Sequence, residues 1–389
     1  MSTNVLMTGD MDGAQQQGGT FSFTSGGREL AVSGAMQRVE TPAVDGDDAG
    51  GAFQKALAQA FERARQAGQA NPLIVGAVPF DPREASCLYI PEHSRWRDCG
   101  DVEAVAEGNL PTLVEQQDFP GELGFKRSVE QAIVNFRHSD VRKAVLSTQR
   151  ELVFADRVDV DTIVRNLRAQ NPSGYHFRVP MADGGTLVGV SPELLVRKEG
   201  VSFVSNPLAG SARRMSDAEA DRRNAEWLAA SEKDHYEHEF VTSDIAARIG
   251  EMCLQLNVPA RPSLVSTPAL WHLSTRIEGT LIDPHVNALQ LACRMHPTPA
   301  VCGYPTELAR RLIRFVEHHE RGLFSGMVGW CDAQGNGEWV VTIRCGTIKD
   351  NRVRLFAGAG IVESSQPDTE WAEVQTKLRT MLRACGVSH

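Results

Sequence analysis

The chain has 389 residues, 42% hydrophobic and 23% charged, a balance that argues for a folded protein with a sizeable core and against overall disorder. Its 49 acidic and 40 basic residues leave a net charge of -9, which argues against a nucleic-acid partner, because phosphate binding rests on clustered lysine and arginine. No apolar run approaches the ~20 residues of a membrane helix, residues 1–40 lack the basic start and apolar core of a signal peptide, and none of the eight cysteines forms a CxxC pair. Free thiols in a reducing cytoplasm are therefore expected, and a zinc-ribbon or thioredoxin-like reading has no support.

Residues 1–27, rich in Gly, Gln, Ser and Thr, read as a disordered segment. Residues 41–50 read as a loop leading into a helix over 51–67, where Phe53, Leu57, Ala60 and Phe61 recur at helical spacing. NPLIVGAVPFDP reads as a buried strand ended by prolines, KRSVEQAIVNFRHSD as a helix, and RKAVLSTQRELVFA as a strand. The segment 175–205 is strand-rich, and 215–257 carries a helical signal. ALQLACRMHPT and PTELARRLIRFVEHHERG predict two more helices; FSGMVGW, EWVVTIRC and RVRLFAGAGIV predict a meander; DTEWAEVQTKLRTMLRA closes as a helix. Hairpin-linked strands with helix blocks between them predict a single α+β domain with a mainly antiparallel core, spanning 28–389.

Several groups could carry chemistry. Asp234 and Glu237 are three apart in SEKDHYEHEF, and Glu370 and Glu373 are three apart in DTEWAEVQTK. Each spacing puts both carboxylates on one helix face, so two such helices could offer oxygen ligands to magnesium, which uses one or two carboxylates plus water and substrate oxygens. Acidic residues early in a helix are also commonly solvated, where they favour the helix dipole. Zinc is the weaker reading, because His235 and His238 are three apart rather than the four of HExxH and no third soft ligand is near. Glu232, Lys233 and Glu239 read as solvated. Glu193 follows Ser-Pro in an apolar stretch, where desolvation would raise its pKa and suit it to donate a proton; the alternative is a strand-edge glutamate facing water. Lys143, leading into an apolar strand, could act as a base or snorkel to solvent. Arg344, at the end of a strand, and Lys377, one turn beyond Glu373, could hold substrate carboxylates, although Lys377 could equally form a surface pair with Glu373. AGAGIV lacks nucleotide-loop spacing, and its glycines suit close approach to a ligand.

In their order along the chain, SPELLVRK, PLAGSARR, ASEKDHYEHEFV, TPALWHL, HPTPAVCGYP, GMVGWCDAQGNGEWVVTIRC and RLFAGAGIVESSQPDTEWAEVQTKL resemble the chorismate-utilising enzymes. Within that family they are most similar to isochorismate synthases of the catechol-siderophore type, from about residue 30 to the C-terminus. The resemblance implies a single α+β domain with a large twisted antiparallel core, acting on chorismate with Mg2+. It implies Lys143 as the base that activates water and Glu193 as the acid that protonates the departing hydroxyl. Glu237 and Glu373 would bind the metal with Asp234 and Glu370 in support, Arg344 and Lys377 would hold carboxylates, Gly210 and Gly360 would contact substrate, and His272 would lie near the ring. The expected form is a monomer with no glutaminase subunit and no membrane partner. Ala209, where aminodeoxychorismate synthases carry a lysine nucleophile, argues against that activity, and Lys143 argues for water rather than ammonia as the nucleophile. A salicylate synthase, which adds pyruvate elimination, and a non-catalytic chorismate-binding relative are the alternatives.

Overall fold

A computed structural model describes residues 20–99 and 108–387. Every strand pair among the described residues is antiparallel. The pairs assemble two large sheets of ten and nine strands and a small one of three. In the first large sheet, Gly303–Tyr304, Lys143–Phe154, Arg352–Ile361, Cys345–Lys349 and Thr186–Ser191 follow one another. In the second, Leu194–Glu199, Gly337–Val341, Met327–Asp332 and Leu73–Val78 form the centre. The small sheet joins Leu208–Arg213, Leu270–Ser274 and Ser263–Ser266.

Alternation along the strands builds the layers, because successive side chains point to opposite faces. Phe21, Phe23, Phe177 and Leu187 of the first sheet pack against Val75, Ala77, Val328 and Val340 of the second, which makes a sandwich. Outside the first sheet, Leu146, Leu152, Leu355 and Ala359 pack on the helices Glu122–His138, Val160–Gln170, Thr306–Val316 and Pro367–Ala384. Outside the second, Ile74, Val196 and Trp339 pack on Ala52–Gln66, Glu232–Ile249 and Ala288–Met295. The predicted α+β class with an antiparallel core is what the chain forms.

Four expectations need correcting. The segment 1–27 is not disordered throughout: residues 1–19 lie outside the described residues, but Phe21–Ser25 is a strand whose Phe21 and Phe23 are fully buried. The helical signal over 215–257 resolves into Ala218–Ala230 and Glu232–Ile249, broken at Ser231, while Cys253–Asn257 is a strand. Ser231 ends one helix and caps the next, accepting a hydrogen bond from the Asp234 amide at 3.3 Å. The C-terminal meander is split, with Met327–Asp332 and Gly337–Val341 in one sheet and Cys345–Lys349 and Arg352–Ile361 in the other. TLVGVSPELLVRKEG is split likewise, since Thr186–Ser191 and Leu194–Glu199 belong to different sheets. Pro192, with no N–H to give a ladder, marks that crossing.

Candidate active site

The two crossings between the large sheets lie side by side. The Val190 amide donates to the Arg344 carbonyl and the Val341 amide to the Glu193 carbonyl, each at 3.1 Å. This ladder between connections brings Glu193 and Arg344 to the wall of one cleft. Arg344 does not end a strand as expected; the strand stops at Val341, and Arg344 sits in the crossing at φ +50°. A non-glycine residue in that left-handed region carries a conformational cost.

Glu193 is buried, at 3% exposure, and its Oε1 has no hydrogen-bond partner. Burial raises its carboxyl to about 7 against the opposing pull of a Leu208 backbone hydrogen bond and the charges of Lys143, Arg344 and Lys377. The water-facing alternative is thereby excluded, and the side chain can hold a proton near neutrality. Arg344 is itself lowered to about 10 by burial, with the carboxylates of Glu373 and Glu193 opposing.

The small sheet supplies the opposite wall. His272 on Leu270–Ser274 is buried, hydrogen-bonded through Nδ1 to Ser211 Oγ at 3.0 Å, and its Nε2 has no partner. Burial, with Arg344 and Lys377 nearby, holds its pKa well below the ordinary histidine value, so the ring is neutral. Gly210, on the neighbouring strand, has φ +78°, and a Cβ there would come within 2.9 Å of the Asp234 Cβ. Glycine is required by both conformation and space.

The long strand Lys143–Phe154 presents Ala144 and Leu146 to the helical layer and Lys143 and Val145 to the other face. Gly360 stands opposite Val145 in the register of the neighbouring strand. A Cβ on Gly360 would fall 2.1 Å from Glu237 Oε1 and 3.1 Å from Lys143 Cε. The glycine thus opens the space in which the helix carboxylate meets the strand lysine. Lys143 is fully buried and its Nζ lies 2.9 Å from Glu237 Oε1. It stands behind the cleft lining rather than in it, with Glu237 between.

Glu237 and Glu373, from the predicted pair of helices, both line the cleft. Asp234 and Glu370 lie one turn back and are buried. Burial pushes the Glu237 carboxyl up, but the ammonium groups of Lys143, Lys233 and Lys377 outweigh it and hold the group below its ordinary value. Burial raises Asp234, although the Ser231 hydroxyl donates to it at 2.5 Å. Burial and the neighbouring Glu373 raise Glu370 to about 7.

Lysines hold three of these carboxylates one to one: Lys143 with Glu237 at 2.9 Å, Lys233 with Glu370 at 2.9 Å, and Lys377 with Glu373 at 2.6 Å. Lys377 also donates to the Gly358 carbonyl at 2.9 Å, so it faces the cleft and is more than a surface partner. Lys233 was expected in solvent and is instead half-buried on Glu370. Its position four residues before Glu237, on the same helix face, was the available signal. Neither histidine of the stretch touches a carboxylate: His238 Nε2 meets Thr275 Oγ1 at 2.7 Å and His235 Nε2 the Ala229 carbonyl at 2.9 Å. Ser211, which positions His272, has no distinguishing sequence signal, whereas Gly358, whose carbonyl holds Lys377, is one of the AGAGIV glycines expected near a ligand.

Among the described residues no three His, Cys, Asp or Glu groups converge into a ready-made metal cage. The donor set nevertheless fits magnesium, which needs one or two carboxylates and completes its shell with water and substrate oxygens. All the available donors are hard oxygens, and the buried Oε2 of Glu370 has no hydrogen-bond partner.

The sequence profile of the family described as chorismate binding enzyme matches residues 92–386. The isochorismate synthase EntC of Escherichia coli (strain K12) is 46% identical over 373 residues, covering 94% of this chain and 95% of the relative. The isochorismate synthase DhbC of Bacillus subtilis (strain 168) is 41% identical over 388 residues, covering 96% of each. The crystal structure of a putative 2,3-dihydroxybenzoate-specific isochorismate synthase, DhbC from Bacillus anthracis, superposes with a TM-score of 0.90 at 38% identity, covering 96% of this chain and 97% of that one. With the cleft, the fold and these likenesses in agreement, the chain belongs to the chorismate-binding enzyme family.

Proposed function

We propose that this chain is an isochorismate synthase that uses Mg2+ to convert chorismate to isochorismate and feeds the synthesis of a 2,3-dihydroxybenzoate (catechol) siderophore. The observation that carries the reading is a buried, proton-holding carboxyl, Glu193, in the wall of a cleft that also presents the cations Arg344 and Lys377, with a buried lysine, Lys143, held just behind that wall by Glu237. The high identity to EntC and DhbC over nearly the whole chain supports the choice of reaction.

The chemistry asks for a base on one face of a cyclohexadiene ring and an acid on the other. Water adds at the ring carbon beside the carboxylate-bearing one, the double bonds shift, and the far hydroxyl leaves. Lys143, once clear of Glu237, takes the proton from water. Glu193, protonated near neutrality by its burial, gives a proton to the departing oxygen. Arg344 and Lys377 grip substrate carboxylates, the former by a guanidinium fork. His272, neutral and anchored by Ser211, presents Nε2 toward the ring. Gly210 and Gly360 leave room for substrate and for the Glu237 carboxylate.

Glu237 and Glu373 would hold magnesium, with Asp234 and Glu370 supporting from one turn behind. The ion, when bound, supplies positive charge for the ring carboxylate. The reading is tested by magnesium titration of turnover with Glu237→Gln and Glu373→Gln beside the parent. Each variant should need at least about ten times more magnesium for half-maximal rate; unchanged titrations would remove these two residues from the metal site.

A further inference from the structure

A second cavity shares no lining residue with the chorismate cleft. Six arginines line it: Arg83, Arg248, Arg294, Arg310, Arg311 and Arg314. Such a concentration is unexpected on a chain of net charge -9. Nothing in the reaction described above uses it.

Most of these cations have partners. Asp47 pairs with Arg294 at 2.9 Å, Asp244 with Arg248 at 2.7 Å, and Glu307 with Arg310 at 3.3 Å. Asp81 takes both Arg83 and Arg314. Of the other nearby acids, Asp45 accepts from the amides of Ala52 and Phe53, and Glu84 lies on the Arg83 side. Two groups are left over at consecutive positions of the helix Thr306–Val316. Arg311 makes no ion pair among the described residues, and the Nε of Arg310, whose side chain is only 13% exposed, is buried with no hydrogen-bond partner. An unsatisfied buried donor on a guanidinium costs free energy unless an acceptor reaches it. Both residues line the cavity, and a guanidinium matches the oxygens of a phosphoryl or carboxylate group, which it binds by parallel hydrogen bonds.

We infer that this cavity is a binding site for a small dianionic oxyanion, of the phosphoryl or dicarboxylate class, seated on Arg310 and Arg311. The site adjoins the catalytic scaffold without sharing its lining. Arg248 lies near the far end of the helix that carries Glu237, and Thr306 follows the strand Gly303–Tyr304 that pairs with Lys143 and Ala144.

Binding is tested by thermal unfolding of the full chain against inorganic phosphate and, separately, succinate, with sodium chloride at matched ionic strength as the screen. Parent, Arg311→Gln, Arg310→Gln/Arg311→Gln and Arg344→Gln proteins are compared. A saturable rise in midpoint with at least one dianion, kept in Arg344→Gln and weakened at least tenfold in apparent affinity in the double variant, is the expected result. Whichever of phosphate and succinate saturates at lower concentration identifies the ligand source. Arg311→Gln, at an exposed position, keeps the fold and should weaken binding in the same direction. A response no greater than that to chloride, an unchanged response in both Arg311→Gln and the double variant, or loss of the response in Arg344→Gln would overturn the inference.

Discussion

Lys143, at the start of a sheet strand, and Glu237, in the second turn of a helix from the opposite layer, meet at 2.9 Å with Lys143 fully buried. The contact ties the proposed base to a proposed metal ligand, and Gly360 leaves it the space. Removing one partner of a buried pair is usually destabilising, but Lys233 and Lys377 also bear on Glu237. Lys143→Ala should therefore fold with a lowered melting temperature and lose about 10²- to 10⁴-fold in kcat. Glu193→Gln, nearly isosteric at a carboxyl oxygen that has no partner, should lose a comparable factor with its melting temperature little changed near about pH 5, where the parent carboxyl is protonated. Circular dichroism and steady-state rates check both, and a variant with near-parent kcat would not have carried proton transfer.

The Glu193 carboxyl, raised from 4.5 to about 7 by burial, gives a pH signature of known sign. The protonated form is the acid, so kcat should fall as pH rises above about 7, approaching tenfold per unit, with the basic limb altered in Glu193→Gln. Stability follows the same proton. Because the folded pKa is the higher one, the folded state binds the proton more tightly, and the stabilisation is fully present below about 4.5 and lost as pH rises through about 7. Melting curves should show the parent losing stability relative to Glu193→Gln as pH rises from about 5 to about 8; parallel curves would contradict the raised carboxyl.

Gly360→Ala adds one methyl where Glu237 Oε1 would lie 2.1 Å away. The strand tolerates alanine, so the cost falls on the carboxylate, which must turn aside. Turnover should drop at least about tenfold and the magnesium requirement should rise, with little change in melting temperature. Normal magnesium dependence in this variant would show that Glu237 need not hold its place.

Arg344→Gln removes a buried cation from the cleft wall. Loss of a charge-assisted contact to a carboxylate is worth about 1.5–3 kcal/mol, so KM for chorismate should rise roughly 10- to 100-fold. A fall in kcat at constant KM would assign Arg344 to the transition state alone.

Much of this site is legible in the sequence because its motifs are contiguous: the two acidic i, i+3 pairs and the apolar setting of Glu193 are local patterns. What local patterns cannot carry is the splitting of apparently continuous strands between sheets. SPELLVR and EWVVTIRC read as single strands, yet Pro192 and the left-handed Arg344 turn them into neighbouring crossings, and that tertiary event puts the acid and the cation together. Lys233 departs from its local pattern for a similar reason. Beside Glu232 and Asp234 it looks solvated, and the distant Glu370 pairs with it and draws it inward, with Glu237 and Glu373 adding to the pull. The strand Phe21–Ser25 was hidden by the polar composition around two buried phenylalanines.

The most direct test is to incubate the purified chain with chorismate and magnesium and resolve the products by chromatography. Isochorismate as the main product, formed only when magnesium is present, is the predicted result. Salicylate with pyruvate as the main product, or no turnover of chorismate, would contradict it.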